Sequence, residues 1–187
     1  MGLQAVDLVG LRPGDSVVVL GAGPIGLMAI GAARACGATN ITAVDLLPMR
    51  LESARAMGAS STVNAGEEDV TDVLRDSADV LLDCAATEQT LPQGLDIVRA
   101  GGRIAWVGMA AETACIPFQT LQAKEVFITG VFRYENQFQK AVNLLASGQI
   151  DTARLVTHRF AFPRVEEAIR FAAGNRSTAL KTMVTFE

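Results

Sequence analysis

The chain has 187 residues, half of them hydrophobic, with 16 Lys and Arg against 20 Asp and Glu for a formal charge of −4. That length suits one core, or one core with an appended piece, and the acidic balance leaves no basic footprint for nucleic acid or an anionic membrane surface. No apolar run reaches the ~20 residues of a membrane span and no secretory signal layout opens the sequence, so a soluble, cytoplasmic protein is the expectation.

In chain order, Val17-Val18-Val19-Leu20 reads as a strand. A glycine-rich turn at 21–26 follows, then a helix with Pro24 near its start, Gly37 at its end, and Ala29, Ala32, Ala33 and Cys36 as a small-residue face. The spacing then predicts a strand over 40–45, a helix over 48–57 stopped by Gly58, and a strand over 61–64. A polar helix over 67–75 leads to a strand at 80–84, a helix reaching Arg99, and strands at 103–107 and 126–132. Strands apolar on both faces imply a covered parallel sheet, and the alternation with helices predicts a doubly wound α/β fold of the Rossmann type with six strands. Past Tyr134 the pattern changes to an amphipathic helix ending near Ser147, a strand at 155–160, a short helix at 165–172 and a strand at 180–186. Two strands after a finished sheet would leave unpaired edges. Residues 1–133 are therefore expected to form the Rossmann domain, and 134–187 to belong to something else.

Gly21-Ala22-Gly23-Pro24-Ile25-Gly26 has the G-x-G-x-x-G form at a strand-to-helix junction. There Gly21 makes the tight turn, Gly23 admits a pyrophosphate, and Gly26 lets helix approach strand, while the helix start offers N–H groups and a positive dipole end to phosphate. Asp45 ends the next strand nineteen residues beyond Gly26, the spacing of an acid that accepts hydrogen bonds from the adenosine ribose. A carboxylate there repels a 2′-phosphate, which favours NAD over NADP. Arg50 is a guanidinium that could attract one instead. Cys36, Cys84 and Cys115 are far apart in apolar stretches and read as buried small hydrophobes. With no C-x-x-C and a single histidine, His158, the chain's own spacing assembles no zinc site. Trp106 reads as a core residue.

Three further segments carry a resemblance: Asp45-x-x-x-x-Arg50, Gly130-Val131-Phe132-Arg133-Tyr134, and Leu155-Val156-Thr157-His158-Arg159-Phe160, in this order after the glycine turn. Together they resemble the zinc-dependent sorbitol and xylitol dehydrogenases of the medium-chain dehydrogenase/reductase superfamily across essentially the whole chain. The resemblance covers only the C-terminal half of such enzymes. It implies that a GroES-like catalytic domain with the zinc ligands and proton relay lies elsewhere, and that residues 134–187 are the helix and strands that return to complete it.

The resemblance also implies roles. Ile25 would touch the cofactor beside Gly21, Gly23, Pro24 and Gly26. Asp45 and Arg50 would meet the adenosine ribose, and Val107, Gly108 and Met109 the nicotinamide end. Val131, Phe132 and Arg133 would line the same crevice, with Arg133 and Tyr134 hydrogen-bonding a polyol or secondary alcohol. Ile25 also reads as helix packing, Arg133 and Tyr134 as a surface pair, and His158 as a structural strand residue. Cys84-Ala85-Ala86 departs from the Cys-Thr-Gly of the family, which leaves contacts from that loop, including Thr87, open. The activity implied is hydride transfer from a polyol to NAD, with zinc supplied by the other half and the chain by itself inactive. A different class, a stand-alone NAD-binding regulatory module, shares the fingerprint. Homo-oligomerisation through the sixth-strand edge is expected as well.

Overall fold

The structure is a computed structural model, and it describes residues 1–109, 112–153, 155–175 and 177–186. Six parallel strands form the main sheet: β1 (Ser16–Leu20), β2 (Asn40–Asp45), β3 (Ser61–Asn64), β4 (Ala78–Asp83), β5 (Val98–Trp106) and β6 (Phe127–Gly130). Their spatial order is β3-β2-β1-β4-β5-β6, the doubly wound arrangement whose direction reverses beside β1. The helices are α1 (Gly2–Leu8), α2 (Pro24–Ala35), α3 (Pro48–Met57), α4 (Val70–Leu74), α5 (Thr90–Ile97), α6 (Phe118–Lys124), α7 (Phe138–Ala146) and α8 (Val165–Gly174).

Strand residues alternate between two cores. Val17, Val19, Val80, Leu82 and Ala105 pack with α1 and α2 through Val6, Ala29, Ile30 and Ala33. Val18, Leu20, Leu81 and Ile104 pack on the other face with Leu74, Leu95 and Ile97. Both faces are dry, which is why these strands read as continuous apolar runs.

Helix α2 takes the bounds that its punctuation predicts, with Pro24 in its first turn and Gly37 just beyond its end at φ +98°. Its small-residue face serves a neighbour absent from the sequence reading: α1 lies so close that a Cβ at Gly2 would stand 2.7 Å from the Met28 carbonyl oxygen. No side chain caps α1 and no acid sits in its first turn, so no local signal announces it. Arg103 secures its far end, donating to the Val9 and Gly10 carbonyls and pairing with Asp15 at 2.8 Å. The helix expected over 67–75 shortens to α4 because the Asp69 carboxylate accepts the Thr71 and Asp72 N–H groups and sets the start there.

Two expectations are corrected. The late strands are not left alone: β7 (Val156–Ala161) and β8 (Lys181–Thr185) pair with each other in parallel, with α8 crossing between them. A parallel pair needs a helical crossover, which Val165–Gly174 supplies. Ile150, Leu155 and Leu180 join the core of Val17 and Val19. The cysteines are not uniformly buried: Cys115 is exposed and Cys36 and Cys84 are half-buried. Cys115 lies in an irregular stretch, 112–117, whose residues are mostly exposed. Trp106 is half-buried against the second core.

Candidate functional site

The C-terminal ends of β1, β2 and β4 open on a cavity of about 480 Å³ walled by Gly21, Gly23, Asp45, Arg50, Thr87 and Thr90. This is the end of an open α/β sheet, beside its switch point, where ligands bind. Each fingerprint glycine has a distinct physical reason. Gly21 holds φ +86° and donates its N–H to the Val44 carbonyl at 2.8 Å. A Cβ on Gly26 would overlap the Gly21 carbonyl oxygen, whereas a Cβ on Gly23 would meet nothing within 4 Å. Gly26 is thus required by the fold, and Gly23 leaves open space at the start of α2. No side chain caps that helix start, so its first N–H groups face the opening with the positive end of the dipole.

Asp45 is buried, and its carboxylate is already engaged with the turn. Oδ2 accepts the Ala22 N–H at 2.8 Å and lies 3.5 Å from Arg50 Nη1, while Oδ1 accepts the Leu47 N–H at 3.0 Å. A carboxylate oxygen accepts two bonds, so Oδ1 keeps capacity for a hydroxyl donor. One residue therefore fixes the glycine turn and faces the cavity.

The remaining predicted residues divide. Val107 and Gly108 stand at the end of β5, both N–H groups donating to the Asp83 carbonyl at 2.8 and 3.0 Å, and the Val131 N–H donates to the Trp106 carbonyl at 2.8 Å. Met109 and Phe132 are strongly exposed, and the Arg133 guanidinium lies 4.9 Å from the centre of the Phe132 ring. Ile25 and Tyr134 do not line the cavity of about 480 Å³. They share an apolar one of about 220 Å³ with Met28, Phe138, Leu145 and Ile150, between α1, α2 and α7. His158 packs on Phe171 with ring centres 4.5 Å apart, as a structural strand residue does.

Sequence reasoning missed Asp83. Its side chain is fully buried at the end of β4, Oδ1 accepting the Ala85 and Ala86 N–H groups at 3.0 and 2.7 Å. Burial pushes its carboxyl up, against the pull of the Ala86 N–H, the Thr90 hydroxyl and the Ala85 N–H. The same burial, with the Asp83 charge beside it, pushes the Cys84 thiol up to about 12. The signal was a lone acid inside the apolar run Val80-Leu81-Leu82-Asp83-Cys84. Thr87 does line the cavity, bonded reciprocally to Thr90: each backbone N–H donates to the other's hydroxyl, at 2.9 and 3.1 Å. Among the described residues no three His, Cys, Asp or Glu side chains converge to hold a metal ion.

A family profile described as zinc-binding dehydrogenase matches residues 24–147. The chain belongs to this family. It is 35% identical over 192 residues to a sorbitol dehydrogenase of Bacillus subtilis, covering 98% of this chain and 54% of that protein. Among solved structures, the L-idonate 5-dehydrogenase of Escherichia coli superposes with a TM-score of 0.92 at 32% identity, over 99% of this chain and 54% of the other. A short chain alcohol dehydrogenase of Escherichia coli CFT073, solved with NADH, superposes with a TM-score of 0.90 at 25% identity, over 99% and 56%. The chain spans about half the length of the curated relatives it matches. Like other members of that family it has the six-stranded Rossmann-like sheet, and no helix among its described residues is long and apolar enough to cross a membrane.

Proposed function

We propose that this chain is the NAD-binding portion of an alcohol or polyol dehydrogenase acting on a secondary alcohol of sorbitol, xylitol or a similar polyol. The observation that carries the reading is the pairing of open space at Gly23 with the buried Asp45 carboxylate across one crevice. In this reading the α2 N-terminus holds the pyrophosphate and Asp45 accepts the ribose hydroxyls, with Arg50 beside it. The backbone at Val107, Gly108 and Val131 borders the nicotinamide end. Bound NAD would supply the hydride acceptor. The chain's own residues would bind and orient it and exclude water, with Met109, Phe132 and Arg133 beside the cofactor and Arg133 and Tyr134 meeting the substrate hydroxyls. Among the described residues no three His, Cys, Asp or Glu side chains converge on a metal ion, so no step is assigned to zinc here, and in this reading substrate activation falls to residues outside the chain. Residues 1–133 form the cofactor unit in this reading, and 134–187 reach toward a partner domain.

Titration with NADH and NADPH, followed by quenching of Trp106, the single tryptophan, tests the reading. NADH should bind at least about tenfold more tightly than NADPH, a difference of ~1.4 kcal/mol. Preference for NADPH overturns the role of Asp45, and silence toward both overturns the cofactor. The 187-residue protein should also oxidise sorbitol and xylitol negligibly; zinc-dependent turnover by the pure chain refutes the division of labour. The open edge of β6, where Phe127 is exposed, supports homo-oligomerisation by strand pairing, and a clean monomer in light scattering at high concentration counts against it.

A further inference from the structure

The segment between β6 and α7 carries Phe132, Arg133 and Tyr134, yet it has little packing of its own. Residues 132–136 are all exposed, Phe132 at 76% and Tyr134 at 55%, and the Arg133 guanidinium lies over the Phe132 ring. The Val131 N–H ties the chain to β5 through the Trp106 carbonyl, and α7 starts at Phe138. Side chains this exposed make few of the buried contacts that hold a loop, so hydrogen bonds at its flanks must set where 132–134 stand.

Helix α1 supplies two of them. The Glu135 N–H donates to Gln4 Oε1 at 3.0 Å, and Gln137 Nε2 donates to Asp7 Oδ2 at 2.8 Å. Gln4 and Asp7 are three residues apart and so share one face of the helix. Gln137 is only 5% exposed, a buried amide whose donor is satisfied by a carboxylate 130 residues away in the chain. Between the two anchor points Asn136 takes φ +55°, a turn that asparagine enters at little cost and that brings residues on both sides of it to the same helix. Lys140 Nζ lies 3.9 Å from the same Asp7 oxygen, but both groups are more than half exposed, so that pair adds little. The anchor is itself rigid, because α1 buries Ala5, Val6 and Val9 in the core it shares with Ala29 and Ala33 of α2. Tyr134 meets both helices across the apolar cavity, with Leu3 from α1 and with Ile25 from the first turn of α2.

We propose that Gln4 and Asp7 are positioning residues: by holding the Glu135 N–H and the Gln137 amide they fix the segment after β6, so that Phe132 and Arg133 stand at the nicotinamide end and Tyr134 on the substrate side. The proposal rests on the dinucleotide reading above. It makes α1, an element that touches no part of the 480 Å³ crevice, the support of its nicotinamide end. Asp7→Asn keeps an acceptor for the Gln137 amide without the charge, whereas Asp7→Ala removes both.

The test measures NADH affinity from the fluorescence of the bound cofactor and ADP-ribose affinity by calorimetry, in the full chain and in Gln4→Ala, Asp7→Ala, the double variant and Asp7→Asn. ADP-ribose keeps the adenosine and pyrophosphate but lacks the nicotinamide, so NADH alone reports on 132–134. Each single alanine variant should weaken NADH about fourfold and the double variant more than about tenfold, with ADP-ribose held within about twofold. Asp7→Asn should keep NADH within about 1.5-fold of wild type. Amide exchange at Glu135 should quicken about tenfold in Gln4→Ala and stay unchanged in Asp7→Asn. Alanine favours helix, and an acid near a helix C-terminus opposes the dipole, so the alanine variants should fold; if the double variant does not, the single variants decide by the same split. Wild-type NADH affinity in the alanine variants, equal weakening of NADH and ADP-ribose, an Asp7→Asn as weak as Asp7→Ala, or unchanged Glu135 exchange in Gln4→Ala each overturns the proposal. A wild-type chain that binds neither NADH nor ADP-ribose refutes the dinucleotide reading and this proposal with it. One that binds ADP-ribose as tightly as NADH leaves that reading standing and overturns this proposal alone.

Discussion

The main sheet and the β7–β8 pair are both parallel and both built with helical crossovers, yet they differ in how they are covered. In the main sheet Val80, Leu81, Leu82 and Ile104 are wholly buried between two layers of helices. In the small sheet α8 covers one face, where Phe160 and His158 meet Phe171, and the other face leaves Thr157, Arg159, Lys181 and Met183 exposed. Parallel pairing is the same in both, so pairing is not what separates them. A sheet enclosed on two faces unfolds with the whole molecule, while a sheet covered on one can open alone.

Paired truncations test that difference. Leu82→Ala should cost about 3–4 kcal/mol, the transfer and cavity terms of a fully buried leucine, and appear as a lower denaturant midpoint for every probe. Phe160→Ala should cost about 2–3 kcal/mol but act locally. Hydrogen exchange should quicken for β7 and β8 and stay slow for β1 and β4, and NADH affinity should hold within about twofold. Global unfolding in step with Leu82→Ala would erase the distinction.

The same contrast explains what the sequence made legible. The bounds of α3 follow from Pro48 in its first turn and from Gly58, at φ +112°, as its left-handed stop. Where such residues are absent the elements were lost: α6 buries no residue and ends on Glu125 in a left-handed conformation, with no glycine to mark it. Helix α1 is set by tertiary packing at Gly2 and by Arg103, ninety-odd residues away. In the site, Asp45 and the glycines were legible because their roles fix both residue type and spacing. Asp83 was not, because its role depends on the turn after β4 folding back so that its carboxylate accepts the Ala85 and Ala86 N–H groups, which no residue type or spacing announces. Ile25 and Tyr134 were placed by resemblance, and both line the apolar cavity beside α1.

At the opposite end of the sheet from the crevice, Asp79 ties β1 to β5. Burial would raise its carboxyl, but the Ser16 N–H and hydroxyl and Arg99 outweigh it and lower the pKa from 3.8 to about 2. The folded value lies below the unfolded one, so the stabilisation is present above pH ~4 and is lost as pH falls toward ~2. Asp79→Ala should cost about 1 kcal/mol at neutral pH, since the Arg99 pair is partly exposed. The gap to wild type should close between pH 4 and 2, as followed by paired denaturant titrations. A gap that is flat across that window would assign the effect to packing instead of charge.

The smallest expected effect has the opposite sign. Ala86 occupies φ +49° in the turn that Asp83 holds, a left-handed conformation that costs a residue with a Cβ roughly 1–2 kcal/mol. Glycine removes that cost but gives back about 0.5–1 kcal/mol of chain entropy and the packing of the Ala86 methyl. Ala86→Gly should therefore stabilise by about 0.5 kcal/mol and raise Tm by about 1–2 °C. Asn136 sits at φ +55° in the exposed loop before α7, but asparagine visits this region with little penalty, so Asn136→Gly should leave Tm unchanged or slightly lower. Thermal melts of the two variants thus separate strain stored in the enclosed sheet from a turn that carries none. Equal shifts would mean that φ alone, irrespective of residue type and enclosure, sets the response.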